Sequence, residues 1–264
     1  MIRTTDPAAL VDLDRYPFDD DAVVATHRGQ LEARGVSVLP GFVHPDGVAR
    51  LVAEADALAA LAYHQDVQGT PYLEKPSADW PAGHPRLAAT RSSVHVVAYD
   101  QHPPDSLLRA LYEWDAFLEF LSRVLGRSPL HRYADPLGAL NLAVMTDGDV
   151  LGWHFDQTDF VVSLAIQSSE VGGDFENVAK VRSDDDERYD DVARVLRGAA
   201  DDLVVVEPMT PGTLMLFEGR RSLHRVTPIG GGRPRHVALL GYDTKPGTRS
   251  TEQLQRTRYG RVVA

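Results

Sequence analysis

The sequence predicts an α+β fold in which N-terminal helices precede a barrel-like double sheet. Two observations predict it. Residues 1–129 contain segments with the hydrophobic spacing of helices, whereas residues 130–247 contain short alternating segments separated by glycine-rich turns. No internal repeat or low-complexity linker divides the 264 residues, so one domain (1–264) is expected, with residues 248–264 as a C-terminal tail.

The N-terminal part is expected to be mainly helical. Its first residues, 1–20, have no clear periodicity and are expected to form a surface arm. Residues 21–34 predict a helix that ends before Gly35, because glycine readily adopts the conformation that terminates helices. Asp46 is expected to cap a second helix. The spacing of leucines over residues 107–125 predicts a third helix, which a glycine ends.

The other segments are predicted to be strands and one long loop. Residues 64–85 are rich in proline, glycine and aromatic residues without a period, as expected of a lid-like loop that covers a binding site. Strands are predicted at 36–39 and 91–99. The C-terminal half predicts strands at 139–146, 150–156, 160–167, 174–178, 202–207, 212–217, 222–226 and 235–242, with a helical insertion near 186–197.

Composition restricts the classes of protein and partner. Hydrophobic residues make up 43% and charged residues 25% of the chain, which is typical of a globular protein. No apolar run approaches the roughly 18 residues of a membrane span, and no signal-peptide core is recognisable, so a cytoplasmic location is expected. The net charge of −11 argues against nucleic acid and anionic membranes as partners. Because the chain has no cysteine, a metal must be held by histidines and carboxylates.

A histidine and an aspartate two positions apart are the strongest candidates for metal ligands. His154 and Asp156 would project from one face of an extended strand, with Cα atoms about 7 Å apart. His224, in a later predicted strand, is the best candidate for a third ligand. Two histidines and one carboxylate on one side of a metal form the ligand set of non-heme Fe(II) oxygenases. The alternative is a surface pair of His154 and Asp156, with His224 as a hydrogen-bonded core residue.

Two arginines follow the distal histidine and enter a hydrophobic strand. A guanidinium deep in the barrel could bind a carboxylate through two hydrogen bonds. Arg233 and Arg235 have the same strand parity, so periodicity does not choose between them. Arg235 is preferred because it lies further inside the apolar segment, whereas Pro234 places residue 233 in the preceding loop. The alternative is that both are exposed charges.

With these residues, the chain resembles the Fe(II)/2-oxoglutarate-dependent oxygenase superfamily over roughly residues 130–247. In finer pattern it is similar to a bacterial group of free-amino-acid hydroxylases and radical halogenases. The segments that carry the similarity are 153–156, 172–176, 211–214 and 219–228. The resemblance implies a double-stranded β-helix, which is a jelly-roll or cupin-like barrel, with N-terminal helices packed on one sheet.

The resemblance also implies cofactors and a reaction. His154, Asp156 and His224 would hold Fe(II), Arg235 would bind the distal carboxylate of the co-substrate 2-oxoglutarate, and O2 would be the oxidant. Succinate and carbon dioxide would be co-products. Halogenases of the group have a small residue in place of Asp156, which leaves a coordination position for chloride. The aspartate therefore implies hydroxylation, or a related oxidation such as desaturation, of a small molecule such as a free amino acid.

Residues that would contact the substrate or co-substrate are less distinct. The resemblance suggests Arg91 for a substrate carboxylate, and Asn141 could hydrogen-bond 2-oxoglutarate or the substrate. Asp159 could bind a substrate ammonium, and Trp153 could flank the substrate. Each also has a structural explanation as a surface charge, a backbone-bonding amide or a packing residue. Candidates for the lining of an entrance, all from the long loop, are His64, Tyr72 and Trp80.

Two other functions remain open. A peptidyl or protein hydroxylase of the prolyl type would need an open groove in place of a lidded pocket. A non-catalytic barrel that binds metal or 2-oxoglutarate would not need the complete ligand set together with an arginine. The acidic composition and the long loop favour a small-molecule substrate, and the sequence predicts neither its identity nor an oligomeric state.

Overall fold

The computed structural model describes residues 6–263. The α-helices in this range are α1 (Asp21–Arg34), α2 (Pro45–Leu58), α3 (Leu107–Glu113), α4 (Asp115–Leu125), α5 (Tyr189–Leu196) and α6 (Glu252–Tyr259). The strands are β1 (Val36–Leu39), β2 (Tyr63–Gly69), β3 (Thr90–Val97), β4 (His131–Arg132), β5 (Leu140–Met145), β6 (Val150–His154), β7 (Val161–Gln167), β8 (Val171–Gly172), β9 (Phe175–Val178), β10 (Val205–Glu207), β11 (Leu214–Phe217), β12 (Leu223–Val226), β13 (Ile229–Gly230), β14 (Arg235–Leu240) and β15 (Tyr242–Asp243).

The main sheet is antiparallel and curls into a nearly closed jelly-roll barrel. Its strand order is β1-β11-β7-β14-β5-β3-β6-β12-β9-β10, and β2 pairs with β3 beside this path. Strand β3 joins the two halves, because its last residues pair with β5 and its earlier residues pair with β6. The strands predicted from residue 139 onwards are confirmed, with ends that differ by a few residues.

The N-terminal helices cover the outer face of one half of the barrel. Leu142 on β5 points outwards and is buried in the same cluster as Leu51 of α2 and Phe117 of α4. The neighbouring Ala143 and Met145 point inwards and belong to a separate cluster in the barrel interior. Side chains therefore alternate between helix layer and interior, as the two-residue period of a strand requires. The expected packing of N-terminal helices on one sheet is confirmed.

The segment expected to be a long loop begins as a strand. Tyr63 to Gly69 pair with β3 along their whole length, so residues 64–69 are not part of a loop. The burial pattern of β2 does not alternate between exposed and buried positions. A strand that is polar on both faces lacks the period-two hydrophobic signal, and this is why the sequence pattern missed it.

Four other segments differ in detail from what the sequence pattern predicts. Leu10 and Tyr16 are buried, so the described part of the predicted surface arm belongs to the core; residues 1–5 lie outside the described range. The helix over 107–125 is interrupted at Trp114, where Arg132 donates hydrogen bonds to the carbonyls of Tyr112 and Glu113. The predicted tail, 248–264, contains α6. Helix α2 begins at Pro45 after His44, and Asp46 lies in its first turn and is not the cap.

No helix in the described part of the chain combines the length and apolar character needed to cross a bilayer.

Candidate metal centre

Two adjacent strands bring the predicted histidine ligands together. His154 ends β6, and His224 lies directly opposite it in β12. The next pair joins Val226 to Leu151, so β6 contains one residue more than β12 between the two pairs, which is a β-bulge. Leu151 and Val226 pack in the barrel interior. Because of the bulge, His154 faces the same interior although it is an odd number of residues from Leu151.

Asp156 completes the group just after β6 ends. Its backbone N–H donates to the carbonyl oxygen of Gly219 at 3.1 Å, which ties the segment after β6 to the turn that precedes β12. Asp156 Oδ2 lies 3.3 Å from His224 Nε2, and Asp156 Oδ1 lies 3.9 Å from His154 Nε2. The three ligand atoms lie within 4.8 Å of one another, a separation that one metal ion can span.

A glycine makes room for this carboxylate. A Cβ at position 219 would lie 2.9 Å from both Cβ and Cγ of Asp156, and closer still to its Oδ2. The φ angle of Gly219 is not in the left-handed region, so the close approach of Asp156, and not the backbone conformation, requires glycine here.

Main-chain carbonyl groups orient both imidazoles. The Nδ1 of His154 lies 2.7 Å from the carbonyl oxygen of Gly152, and the Nδ1 of His224 lies 2.9 Å from that of Ser222. An Nδ1–H that donates to a carbonyl leaves the Nε2 lone pair free, and this is the usual arrangement of histidines that bind metal. Both Nε2 atoms face Asp156.

Aromatic packing keeps His224 neutral. The rings of Phe217 and Phe175 lie 4.9 and 5.6 Å from the imidazole of His224, measured between centroids. Burial lowers the pKa of His224 to about 4, although the carboxylate of Asp156 opposes the shift. A neutral imidazole is the form that coordinates a metal, so the site is ready to bind one at neutral pH.

A buried guanidinium lies in the same interior. Arg235 is opposite Met145 in the β14–β5 pairing and is 6% exposed. Its Nη1 lies 3.9 Å from the Met145 sulfur, and the ion pairs of residues 6–263 do not include Arg235. Burial lowers its pKa to about 10. Because an unpaired buried charge is costly, this position favours an anionic ligand.

The other predicted arginine is placed differently. Arg233 is exposed, and its guanidinium donates to the carbonyl oxygens of Ser168 and Ser169 at 2.8 and 3.2 Å. It precedes β14 and ties two loops together on the surface.

Comparison with protein families places the chain in one of them. A family model described as Halogenase D matches residues 18–258. The chain belongs to the Halogenase D family. A search of curated proteins finds no match.

Solved structures share the fold of this Halogenase D family member at low sequence identity. The non-heme α-ketoglutarate-dependent epimerase SnoN from nogalamycin biosynthesis is 16% identical, with a TM-score of 0.56 over 85% of this chain and 83% of that chain. A Pseudomonas putida prolyl-4-hydroxylase is 15% identical, with a TM-score of 0.52 over 82% and 96%. A 2OG-Fe(II) oxygenase family protein from Burkholderia pseudomallei is 15% identical, with a TM-score of 0.54 over 86% and 94%. Structural similarity at such low sequence identity shows a shared fold and nothing more. It confirms the expected double-stranded β-helix.

The Halogenase D fold of this chain brings to the site a residue that the sequence pattern missed. Asn177 on β9 is the register partner of His224, so both side chains project from the same face of the sheet. Asn177 is 0% exposed, and neither its Oδ1 nor its Nδ2 has a hydrogen-bond partner in the described part of the chain. Buried amides are nearly always hydrogen-bonded, so Asn177 is suited to bind a ligand beside His224. Nothing in the sequence around residue 177 distinguishes it from an ordinary strand asparagine.

Asn141 faces the interior but its amide is already used. Its Nδ2 donates to the carbonyl oxygens of Leu137 and Leu140 at 2.9 Å each. Its Oδ1 accepts from the Tyr259 hydroxyl at 2.8 Å and from Arg258 Nε at 3.2 Å. Two donors and two acceptor positions are all an amide has, so Asn141 anchors helix α6 to β5, as the structural alternative expected.

Two predicted substrate residues point away from the interior. Arg91 lies on the face of β3 opposite to Val94 and Val96, and it forms two hydrogen bonds with Asp66 at 2.9 and 2.8 Å. Trp153 lies at the bulge and packs in an outward-facing apolar cluster, with the guanidinium of Arg225 4.7 Å from its ring centroid. The structure does not bring either side chain to the metal ligands.

Asp159 and the loop candidates also have other partners. Asp159 is exposed and pairs with Arg220 at 2.6 Å. The loop residues Tyr72 and Trp80 pack against rings of the outward-facing layer, Phe155 at 5.1 Å and His84 at 4.2 Å respectively.

Proposed function

We propose that the chain is an Fe(II)- and 2-oxoglutarate-dependent dioxygenase that hydroxylates an unactivated C–H bond of a small molecule, namely a free amino acid or a close derivative. The proposal depends on one observation, namely that a complete set of three metal ligands surrounds one side of a position where a metal ion can bind. Two imidazole Nε2 atoms and one carboxylate converge there, and main-chain carbonyl groups hold both imidazoles.

The donor set fits Fe(II). Two histidines and one carboxylate leave the remaining coordination positions of an octahedral ion free for a chelating co-substrate and for O2. Fe(II) bound with 2-oxoglutarate would supply the oxidising power for C–H cleavage, with succinate and carbon dioxide as co-products. His154, Asp156 and His224 would hold the metal, and the chain itself contributes orientation and exclusion of water.

Arg235 is the residue that we assign to the distal carboxylate of 2-oxoglutarate. Its guanidinium is buried in the barrel and forms no close ion pair with a carboxylate among residues 6–263, although Asp174 is near enough to interact with its charge. A carboxylate that forms two hydrogen bonds with the guanidinium would compensate its charge and satisfy its donors. Asn177, beside His224, would donate or accept a hydrogen bond at the substrate or co-substrate.

Asp156 supports hydroxylation as the reaction, in place of halogenation. The resemblance implies that a halogenase needs a small residue at this position, so that chloride can bind the metal. Here the carboxylate lies 3.3 Å from His224 Nε2 and occupies that position. The substrate class rests on the similarity of segments 153–156 and 219–228 to free-amino-acid hydroxylases.

The test is substrate-stimulated turnover. The purified chain is incubated with Fe(II), 2-oxoglutarate and O2, with each free amino acid and, in parallel, with proline-containing peptides; succinate and product masses are measured. We expect one or a few amino acids to stimulate succinate formation and to gain one oxygen atom, with no chlorinated product in the presence of chloride. Asp156→Ala should abolish hydroxylation.

Three results would contradict the proposal. Chlorination by the wild-type chain would overturn hydroxylation, and exclusive turnover of peptides would overturn the substrate class. Binding of metal and 2-oxoglutarate without succinate formation would indicate a non-catalytic barrel.

A further inference from the structure

A second group of two histidines and one aspartate lies on the outer face of the barrel. His64 on β2 and His95 on β3 are register partners, and Asp149 ends the turn between β5 and β6. His64 Nε2 lies 3.6 Å from Asp149 Oδ1, and His95 Nδ1 lies 3.2 Å from Asp149 Oδ2. The ligand atoms of the three residues lie within 4.8 Å of one another.

This group is separate from the metal centre described above. His95 alternates along β3 with Val94 and Val96, which belong to the apolar interior of the barrel. The imidazole of His95 therefore projects to the opposite side of the sheet from the interior. His154 and His224 project into that interior, so the two groups lie on different faces of the barrel wall.

The carboxylate of the group is buried and held in one orientation. Asp149 is 4% exposed, and its oxygens accept from the Ser93 hydroxyl at 2.5 Å and from the backbone N–H and hydroxyl of Thr146 at 2.8 and 3.1 Å. Burial alone would raise the pKa of Asp149, but these hydrogen bonds outweigh it and leave the pKa below its usual range. Asp149 is therefore an ionised, preorganised ligand.

The two imidazoles are arranged face to face above this carboxylate. Their ring centroids are 4.1 Å apart and their planes differ by 9°. His95 Nδ1 is directed at Asp149, whereas His64 Nε2 lies 3.0 Å from the hydroxyl oxygen of Ser93, which donates to the same carboxylate. Neighbouring ligands around a tetrahedral metal with bonds of about 2.0–2.1 Å are separated by about 3.3 Å. The observed separations of 3.2 and 3.6 Å lie on either side of that value.

The group is also accessible from solvent. The side chain of His64 is 46% exposed and that of His95 is 28% exposed, whereas the carboxylate behind them is covered. An ion can reach the three ligand atoms from the open side, and a water molecule can complete its coordination there. A metal would replace the hydrogen bond between His64 Nε2 and the Ser93 hydroxyl, and the stacked rings would tilt so that a nitrogen lone pair of each points at the ion.

We propose that His64, His95 and Asp149 form a second divalent-metal site, of which Zn²⁺ is the preferred occupant. Two imidazoles and one carboxylate suit Zn²⁺, which commonly takes three protein ligands and a water. The ion would join the β2–β3 hairpin to the turn that precedes β6, the strand that carries His154. Its role is to fix this part of the barrel wall.

The experiment counts Zn²⁺ bound to the purified, metal-stripped chain. Zn²⁺ also binds the His154–Asp156–His224 ligand set, so the wild type is expected to bind two equivalents. His64→Ala and His95→Gln should each bind one, and His154→Ala should also bind one. A double variant with His64→Ala and His154→Ala should bind none. His44→Ala is the matched control, because His44 is exposed and makes no side-chain capping bond.

Thermal unfolding provides an independent readout. Zn²⁺ should raise the melting temperature of His154→Ala, because an ion that binds only the folded chain stabilises it, and should not raise that of the double variant. The proposal is overturned if the wild type binds a single equivalent that His154→Ala abolishes, or if His64→Ala and His95→Gln both retain two. Neither result bears on iron-dependent turnover, so this proposal and the proposed function fail separately.

Discussion

Replacing Gly219 by alanine is expected to displace the metal-binding carboxylate without unfolding the chain. The new Cβ would lie 2.9 Å from Cβ and Cγ of Asp156. Carbon atoms pack at about 3.5–4.0 Å, so the two groups would be about 0.6–1.1 Å too close. Rotation about χ1 can move Cγ and the carboxylate of this partly exposed side chain away, and a small backbone shift in the loop at residue 219 relieves the Cβ–Cβ contact, so the cost to the fold is small.

The displacement is large compared with what a metal site tolerates. Ligand distances in metal sites vary by about 0.2 Å, and a misplacement of about 1 Å at a reacting centre can reduce a rate by about a hundredfold. We therefore expect Gly219→Ala to lose about two orders of magnitude in Fe(II)-dependent succinate formation and to bind Fe(II) or Mn²⁺ more weakly in calorimetry. The melting temperature of the metal-free chain should change little.

A matched control and a double variant separate this cause from others. Gly232→Ala adds a methyl group with nothing within 4 Å and without a left-handed φ, so it should retain wild-type metal affinity. In an Asp156→Ala background there is no carboxylate to displace, so Gly219→Ala should cause no further loss of metal affinity. Wild-type affinity in Gly219→Ala, or a further loss in the Asp156→Ala background, would refute the reasoning.

Three other predictions follow from the fold and the site. Arg235→Gln should raise the KM for 2-oxoglutarate about a hundredfold or more, because a buried charge-assisted pair is lost, whereas Arg233→Gln should change it less than about twofold; equal effects in steady-state kinetics would contradict the assignment. Gly29→Ala, at an exposed position within α1 where a Cβ meets nothing within 4 Å, should stabilise the chain by about 0.5–1 kcal/mol in urea unfolding, and a loss of stability would be unexpected. Burial lowers the pKa of His102 in the folded chain to about 4, whereas the same imidazole in the unfolded chain has its ordinary pKa of about 6.5. Between these two values the unfolded chain binds a proton that the folded chain does not, so the free energy of unfolding should fall as the pH drops from about 6.5 towards 4. His102→Leu should reduce that slope by up to about 1.4 kcal/mol per pH unit, and an unchanged slope in pH-dependent unfolding would show that another group dominates.

The two-residue spacing of His154 and Asp156 and the hydrophobic context of His224 made the ligand set recognisable from sequence. Strand alternation put His154 and Asp156 on one face but could not say that this face is the interior, because the bulge between Leu151 and His154 reverses which residues of β6 face inwards. Trp153 illustrates the consequence. In a regular strand Trp153 would share the face of Leu151, two residues before it. Here Leu151 and His154 both face the interior, and Trp153 packs on the outside.

The choice between Arg233 and Arg235 shows another limit. Both residues would project from the same face of a strand, so the local sequence distinguishes them only by the proline between them. The register of β14 with β5 places Arg235 opposite Met145 in the barrel interior. Arg91 was suggested for the substrate by the resemblance alone, and a strand pattern gives two faces without saying which one is inside; the structure places Arg91 on the outer face beside Asp66. Asn177 carries no signal in the sequence, and its significance comes only from its pairing with His224.

The sequence by itself determined the order of helices and strands, the type of metal ligand and the family resemblance, since these depend on residue types and short spacings. Tertiary structure alone decided which side chains share the barrel interior, because register and bulges are set by pairing between distant strands. It also brought His64, His95 and Asp149 together, through a strand too polar to be recognised locally. Long-range pairing places chemically suitable residues at one point, and no local pattern records it.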